Sequence, residues 1–182
     1  KYRRLQGTYP VIFLSFADVK ESGFVNARRQ ICQTIKKLYN KYDFLLESGH
    51  LNEDEKKTYL EISVDMENNL ASDSLRSLSD YLMRYYGRKA IILLDEYDTP
   101  MQEAYINGYW DELAVFIRSL FNSTFKTNPY LERALMTGIT RVSKESIFSD
   151  LNNLTVITTT SDLYSDCFGF TQQEVWSVLD EY

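Results

Sequence analysis

The segment KAIILLDEYDTP, from Lys89 to Pro100, restricts the fold more than any other part of the chain. Five consecutive apolar residues run directly into three carboxylates within four positions, those of Asp95, Glu96 and Asp98. A short apolar run of this kind is typical of a strand that is covered on both faces in a parallel sheet. Ligands of such sheets bind beyond the carboxyl ends of the strands, so the segment predicts a functional site at these carboxylates.

Apolar runs predict two further strands, over Val11–Phe16 and Ala134–Thr140, and the first of them is expected to be covered on both faces. Residues 154–160 form a last β-rich run. Between these runs, apolar residues recur at the spacing of amphipathic helices. The alternation of strands and helices predicts an α/β fold with a mainly parallel sheet, in one domain over residues 1–182. Residues 171–182 are expected to begin a following helical segment.

Apolar spacing and capping signals together predict the helices. The predicted helices begin near Phe24, near Glu53, at Ser72–Ser74, near Gly108, near Ser143 and at Thr171. Thr171 and Glu174 have the spacing of a capping box, in which each residue bonds the backbone N–H of the other.

The composition argues against several classes of protein. His50 is the only histidine, which argues against a histidine-based metal site and against a Ser-His-Asp triad. Cys32 and Cys167 form no ligand motif and are expected to be reduced thiols of a cytoplasmic protein. The apolar runs fall far short of the roughly 20 residues that a membrane helix needs. The net charge of −6 argues against a general nucleic-acid binder, although a local basic groove is compatible with it.

Three carboxylates this close together at the rim of a core either have raised pKa values or require a cation. Mg²⁺ prefers carboxylate and water oxygens together with substrate phosphates, so it is the expected ion, with Asp95 and Asp98 as candidate ligands. In an extended backbone, Asp95 and Glu96 would point to opposite faces, whereas Glu96 and Asp98 would share one face.

The string IILLDE resembles the Walker B motif of P-loop NTPases of the AAA and related groups. In that motif, the aspartate holds magnesium through water and the glutamate activates the attacking water. The resemblance implies that Asp95 binds Mg²⁺ together with ATP and that Glu96 is the general base.

Longer stretches resemble the predicted AAA-ATPase-like family of bacterial P-loop NTPases. They are LLDEYDTP, NPYLERALMTGITRVSKESIFSDLNNLTV and FGFTQQEV, and the resemblance extends over nearly the whole chain. It implies a P-loop NTPase-like three-layer sandwich that binds and hydrolyses ATP. Proteins of this family often carry a PD-(D/E)XK nuclease-like domain further along the chain.

The string TGITRVSKES occupies the place of the sensor segment in this NTPase group. There, Thr140 or Arg141 would contact the γ-phosphate or the attacking water, and Lys144 is a weaker phosphate-binding candidate. Arg141 suits this role because its planar fork of donors neutralises charge that develops on a transferred phosphoryl group. The alternative is a structural ion pair between Arg141 and one of the nearby carboxylates.

The phosphate-binding loop of this NTPase group, G-x-x-x-x-G-K-[ST], is absent from the sequence. Because the chain also begins without methionine, we expect it to be a fragment whose N-terminal phosphate-loop strand is missing. The expected core is then three parallel strands, and the strand before Thr140 has an unpaired edge that invites pairing with another copy of the chain. The last β-rich run is expected to be displaced from the sheet or to pair with another molecule.

Two other functions remain open at this point. A degenerate NTPase scaffold would act as a protein-interaction module, with Tyr97, Tyr105, Tyr109 and Trp110 as a contact surface. The alternative for these aromatic residues is packing against a neighbouring helix. A metal-dependent nuclease would need carboxylates and a lysine in an E-x-K strand, and no predicted strand contains this pattern.

Overall fold

A computed structural model describes residues 2–139, 148, 151, 154–165, 167 and 169–180. The chain divides into two compact units, Lys1–Asn152 and Asn153–Tyr182. None of the described helices combines the length and the apolar character that crossing a membrane would require.

The first unit contains a parallel sheet of three strands in the order β1-β2-β3, as predicted. The strands are β1 (Val11–Ser15), β2 (Ala90–Asp95) and β3 (Leu131–Met136). β3 begins three residues before the predicted start and ends at Met136, so the described strand does not reach Thr140. Residues 154–160, the expected last β-rich run, form no strand in the structure.

Six α-helices occur in the described part of the chain. They are α1 (Phe24–Asn40), α2 (Glu53–Glu61), α3 (Asn68–Tyr86), α4 (Thr99–Asn107), α5 (Trp110–Phe121) and α6 (Gln172–Leu179). Short 3-10 segments occupy Tyr2–Arg4 and Asp43–Glu47, and a π-helical turn covers Asn122–Lys126.

The predicted start of α3 at Ser72–Ser74 is wrong, because the helix begins four residues earlier, at Asn68. The serines lie inside the helix, where the Ser74 hydroxyl donates to the carbonyl oxygen of Ala71 at 2.7 Å. A serine that satisfies its hydroxyl on the preceding turn is tolerated within a helix, so its capping preference does not fix the boundary.

Helix α1 contacts β1 and helix α3 contacts β2 on one face of the sheet, and α5 packs against both helices. On that face Ile12 and Leu14 of β1 and Ile92 and Leu94 of β2 are buried. On the opposite face Val11 is 40%, Phe13 50% and Leu135 59% exposed. The prediction that β1 is covered on both faces is therefore wrong, because an apolar run shows what can be buried and not which elements bury it. The described part is an α/β structure of two layers, and the third layer of the expected sandwich stays a prediction.

Buried tyrosines join helices α1, α2 and α3. The hydroxyl of Tyr39 donates to the carbonyl oxygen of Ser74, and that of Tyr59 donates to the carbonyl oxygen of Tyr39, each at 2.7 Å. The rings of Tyr39 and Tyr59 lie 4.6 Å apart. These tyrosines thus contribute apolar contact area while their hydroxyls satisfy backbone carbonyl groups.

The second unit contains the helix α6 in its described part. The backbone N–H of Thr171 donates to the Glu174 carboxylate at 2.7 Å, and the Glu174 N–H donates to the Thr171 hydroxyl at 3.3 Å. The predicted capping box is therefore confirmed. The Thr171 hydroxyl also donates to the Glu174 carboxylate, at 2.8 Å. The hydrogen bonds that the N–H and the hydroxyl of Thr171 donate to this carboxylate lower the pKa of Glu174, because they stabilise its charged form.

Because the described helices cover only one face of the sheet, a leucine-to-alanine substitution should lower the free energy of unfolding more on the covered face than on the open face. Leu14→Ala should lower the free energy of unfolding by about 2–5 kcal/mol, because Leu14 is 3% exposed and its loss leaves a cavity. Leu135→Ala should cost less than about 1 kcal/mol, because its side chain is 59% exposed. Urea denaturation of the 182-residue chain measures both values. Equal losses would mean that the open face is covered in solution.

Tyr81 predicts a loss of stability at alkaline pH. Burial, assisted by the carboxylate of Glu55, raises the pKa of Tyr81 to about 12, whereas an unfolded tyrosine titrates near pH 10. The stability from neutral Tyr81 is therefore complete below pH 10 and is lost as the pH rises towards 12. Tyr81→Phe should reduce the decline between pH 8 and 11 by about 1 kcal/mol. Denaturation at several pH values tests this, and an unchanged slope in the variant would contradict it.

Candidate functional site

The carboxylate of Asp95 is bonded from both neighbouring strands. Asp95 ends β2, and the parallel register places it opposite Ser15, the last residue of β1. The Ser15 hydroxyl donates to Oδ2 of Asp95 at 3.3 Å, and the Thr137 hydroxyl, one residue beyond β3, donates to Oδ1 at 2.6 Å. Both oxygens of this half-buried carboxylate are thus oriented at the carboxyl edge of the sheet.

Backbone hydrogen bonds fix the chain around this carboxylate. The N–H of Phe16 donates to the carbonyl oxygen of Asp95 at 2.9 Å, and that of Thr137 donates to the carbonyl oxygen of Leu94 at 2.9 Å. The N–H of Tyr97 then donates to the carbonyl oxygen of Thr137 at 3.1 Å. Pairing therefore continues beyond the strands, and the side chains at this edge are held by a continuous backbone network.

Glu96 has a left-handed backbone conformation, with φ of 49°. Non-glycine residues adopt this region at an energetic cost, and such strain occurs preferentially at functional sites. One carboxylate oxygen, Oε2, accepts a hydrogen bond from the Thr99 hydroxyl at 3.1 Å. Strand alternation predicted that Asp95 and Glu96 point to opposite faces and that Glu96 and Asp98 share one face. This prediction does not apply, because β2 ends at Asp95 and the backbone turns at the next residue.

Asp98 lies inside the protein and is 1% exposed. Its Oδ2 accepts a hydrogen bond from Nε2 of Gln102 at 2.8 Å. Its carbonyl oxygen accepts from the N–H groups of Met101 and Gln102, in the first turn of α4. The three carboxylates therefore occupy different environments, and only Asp95 and Glu96 are partly accessible to solvent.

Gly138 approaches the buried carboxylate closely. A Cβ atom added to Gly138 would lie 2.5 Å from Oδ1 of Asp98 and 2.9 Å from a ring carbon of Tyr97. Real Cβ atoms essentially never come this close to another atom. The backbone after β3 therefore packs directly against the turn after β2.

The expected sensor residues Thr140, Arg141 and Lys144 lie outside the described residues, so their roles stay predictions. Within the described part, no three His, Cys, Asp or Glu side chains form a group that could hold a metal ion. The Asp95 carboxylate, with the hydroxyls of Ser15 and Thr137, offers oxygen donors of the kind that Mg²⁺ accepts when phosphates complete its coordination. These residues fit that ion in their chemistry.

The sequence argument missed Ser15 and Thr137, although a signal for both is present. Each is the first hydroxyl-bearing residue after an apolar run, VIFL before Ser15 and ALM before Thr137. Since strand ends of a parallel sheet share one edge, polar residues at neighbouring ends are expected to meet. Applied to all three strands, this rule would have found them.

The sequence is similar to one family of known proteins. A family model described as predicted AAA-ATPase, the AAA-ATPase-like family, matches residues 1–148. An uncharacterized protein in the vnfD 5' region of Azotobacter chroococcum mcd 1 is 31% identical over 94 residues. The aligned part is 51% of this chain and 18% of that relative. No solved structure matches the chain. Since the family model covers most of its length, the chain belongs to the AAA-ATPase-like family of predicted AAA-ATPases.

Proposed function

We propose that this chain is the Walker B and sensor part of a magnesium-dependent ATPase. The observation that carries the proposal is the pair of adjacent carboxylates at the edge of the sheet. Asp95 is oriented by hydroxyls from both neighbouring strands, and Glu96 is held in a strained backbone conformation. Membership of the AAA-ATPase-like family supports nucleotide use in general.

In this proposal Asp95 holds Mg²⁺ bound with ATP. The two hydroxyl donors fix the direction of both oxygens. Magnesium ions neutralise the charge of the β- and γ-phosphates. Asp98, the other expected metal ligand, is almost fully buried and bonded to Gln102, so the proposal does not place it on the ion.

Glu96 is the general base in this proposal. Its ionised carboxylate would accept the proton of the attacking water, and the Thr99 hydroxyl orients one of its oxygens. The left-handed backbone ends the alternation of side chains along β2 at Glu96.

The remaining parts of the ATPase site belong to segments outside the described residues. We propose that Thr140 or Arg141 contacts the γ-phosphate or the attacking water, with Lys144 as a weaker phosphate-binding candidate. The proposal also requires a phosphate-binding loop, and the sequence contains no Gly-Lys-Ser or Gly-Lys-Thr step that could form it.

A second candidate is a scaffold that acts through protein contacts, and the open apolar face of the sheet favours it. The four aromatic residues named as a contact surface give it less support. Tyr109 is buried, with its hydroxyl donating to the carbonyl oxygen of Glu21, and Tyr97 packs edge-on against Phe148. Tyr105 is 78% exposed and contacts the ring of Trp110 edge-on.

The first test is ATP hydrolysis by the full-length protein that contains this chain. Glu96→Gln should lower kcat by about 100-fold or more and retain ATP binding, because the amide keeps the shape but cannot accept the proton. Glu112→Gln is the matched control, since Glu112 is exposed on α5 and should leave kcat unchanged. Absence of hydrolysis by the wild-type protein would favour the scaffold.

The backbone of Glu96 makes a separate prediction about stability. Glu96→Gly should be more stable than Glu96→Ala by about 1 kcal/mol, because glycine adopts a left-handed conformation without steric cost. Both variants should lack hydrolysis. Urea denaturation of the 182-residue chain compares the two, and equal stabilities would show that Glu96 is not strained in solution.

A further inference from the structure

We propose that Asp98 is a positioning residue, which holds the segment after β3 in register with Asp95 through its contact with Gly138. This inference rests on the proposed ATPase function, because it concerns the alignment of the same site. It assigns Asp98 a role other than the metal ligand that its sequence position suggested.

The burial of Asp98 is the first part of the argument. A carboxylate that is 1% exposed has lost most of its hydration, which is costly unless hydrogen bonds replace it. Gln102 supplies one of them, four residues further along the chain in α4. Asp98 therefore points into the protein and is fixed there by its own helix.

The glycine at position 138 is the second part. Five of the seven glycines have positive φ and open space around an added Cβ, so their backbone conformation accounts for them. Gly138 does not have positive φ, and its conformation is accessible to other residues. The close approach to Asp98 is what requires glycine at this position.

The connection to Asp95 is the third part. Thr137, which precedes Gly138, donates its hydroxyl to Asp95 at 2.6 Å and accepts a backbone hydrogen bond from Tyr97, the residue before Asp98. A displacement at the contact of Gly138 with Asp98 must therefore shift the donor on Asp95. Misplacement by about 1 Å in a catalytic site can cost about 100-fold in rate.

The test compares Gly138→Ala, Asp98→Ala and the double variant in the full-length protein. Gly23→Ala is the matched control, because Gly23 has an extended backbone and open space. Two quantities are measured, amide hydrogen exchange at Tyr97 and Thr137, and the kcat and KM of ATP hydrolysis with magnesium. The exchange measurement does not depend on activity.

We expect Gly138→Ala and Asp98→Ala each to speed exchange at both amides and to lower kcat at least about tenfold, with a smaller change in KM. The double variant should have a kcat no lower, and amide exchange no faster, than the more impaired single variant, because both substitutions break the same contact. A decrease in kcat of the double variant equal to the product of the two single decreases would overturn the inference. So would unchanged exchange, or faster exchange with normal kcat. If the wild-type protein does not hydrolyse ATP, the proposed function fails, whereas faster exchange in both single variants would still establish that Asp98 holds the segment after β3 in place.

Discussion

The pairing of β2 with a parallel neighbour on each side is the constraint on which the candidate site depends. Ser15 and Thr137 are 80 and 42 residues away from Asp95 in the chain, yet both donate to its carboxylate. Only a shared direction of the three strands brings these residues to one edge. That direction is in turn stabilised by α1 and α3, which contact β1 and β2 on the face where alternate side chains of these strands are buried.

The acidic site was predictable in part. The apolar run that ends in Asp95 and Glu96 identified both the strand and the edge at which its carboxylates lie. The environment of each carboxylate was not predictable, because it depends on contacts from distant segments. The hydroxyl bonds of Asp95 come from Ser15 in β1 and from Thr137 just after β3, and the contact of Asp98 with Gly138 comes from the segment after β3. The conformation of Glu96 depends on where β2 ends, and local propensity locates such boundaries only approximately.

The helices were likewise predictable where the apolar periodicity is strong, and not where it is weak or ambiguous. Strong periodicity located α1, α3 and α5, and Gly87 ends α3 with the left-handed conformation expected of a stop. The short helix α4 was missed because its apolar residues are few and Pro100 in its first turn reads as a turn signal. The start of α3 was misplaced because buried serines within the helix resemble a cap.

The left-handed conformation of Glu96 has a consequence for how this chain changes over evolutionary time. A change of glutamate to glycine needs a single base substitution in the codon, and it relieves the steric cost at this position. In a chain without selection on the side chain, a change to glycine would therefore meet no steric barrier here. In the function proposed above, position 96 is thus the place where relatives without hydrolysis should first differ from those that hydrolyse ATP.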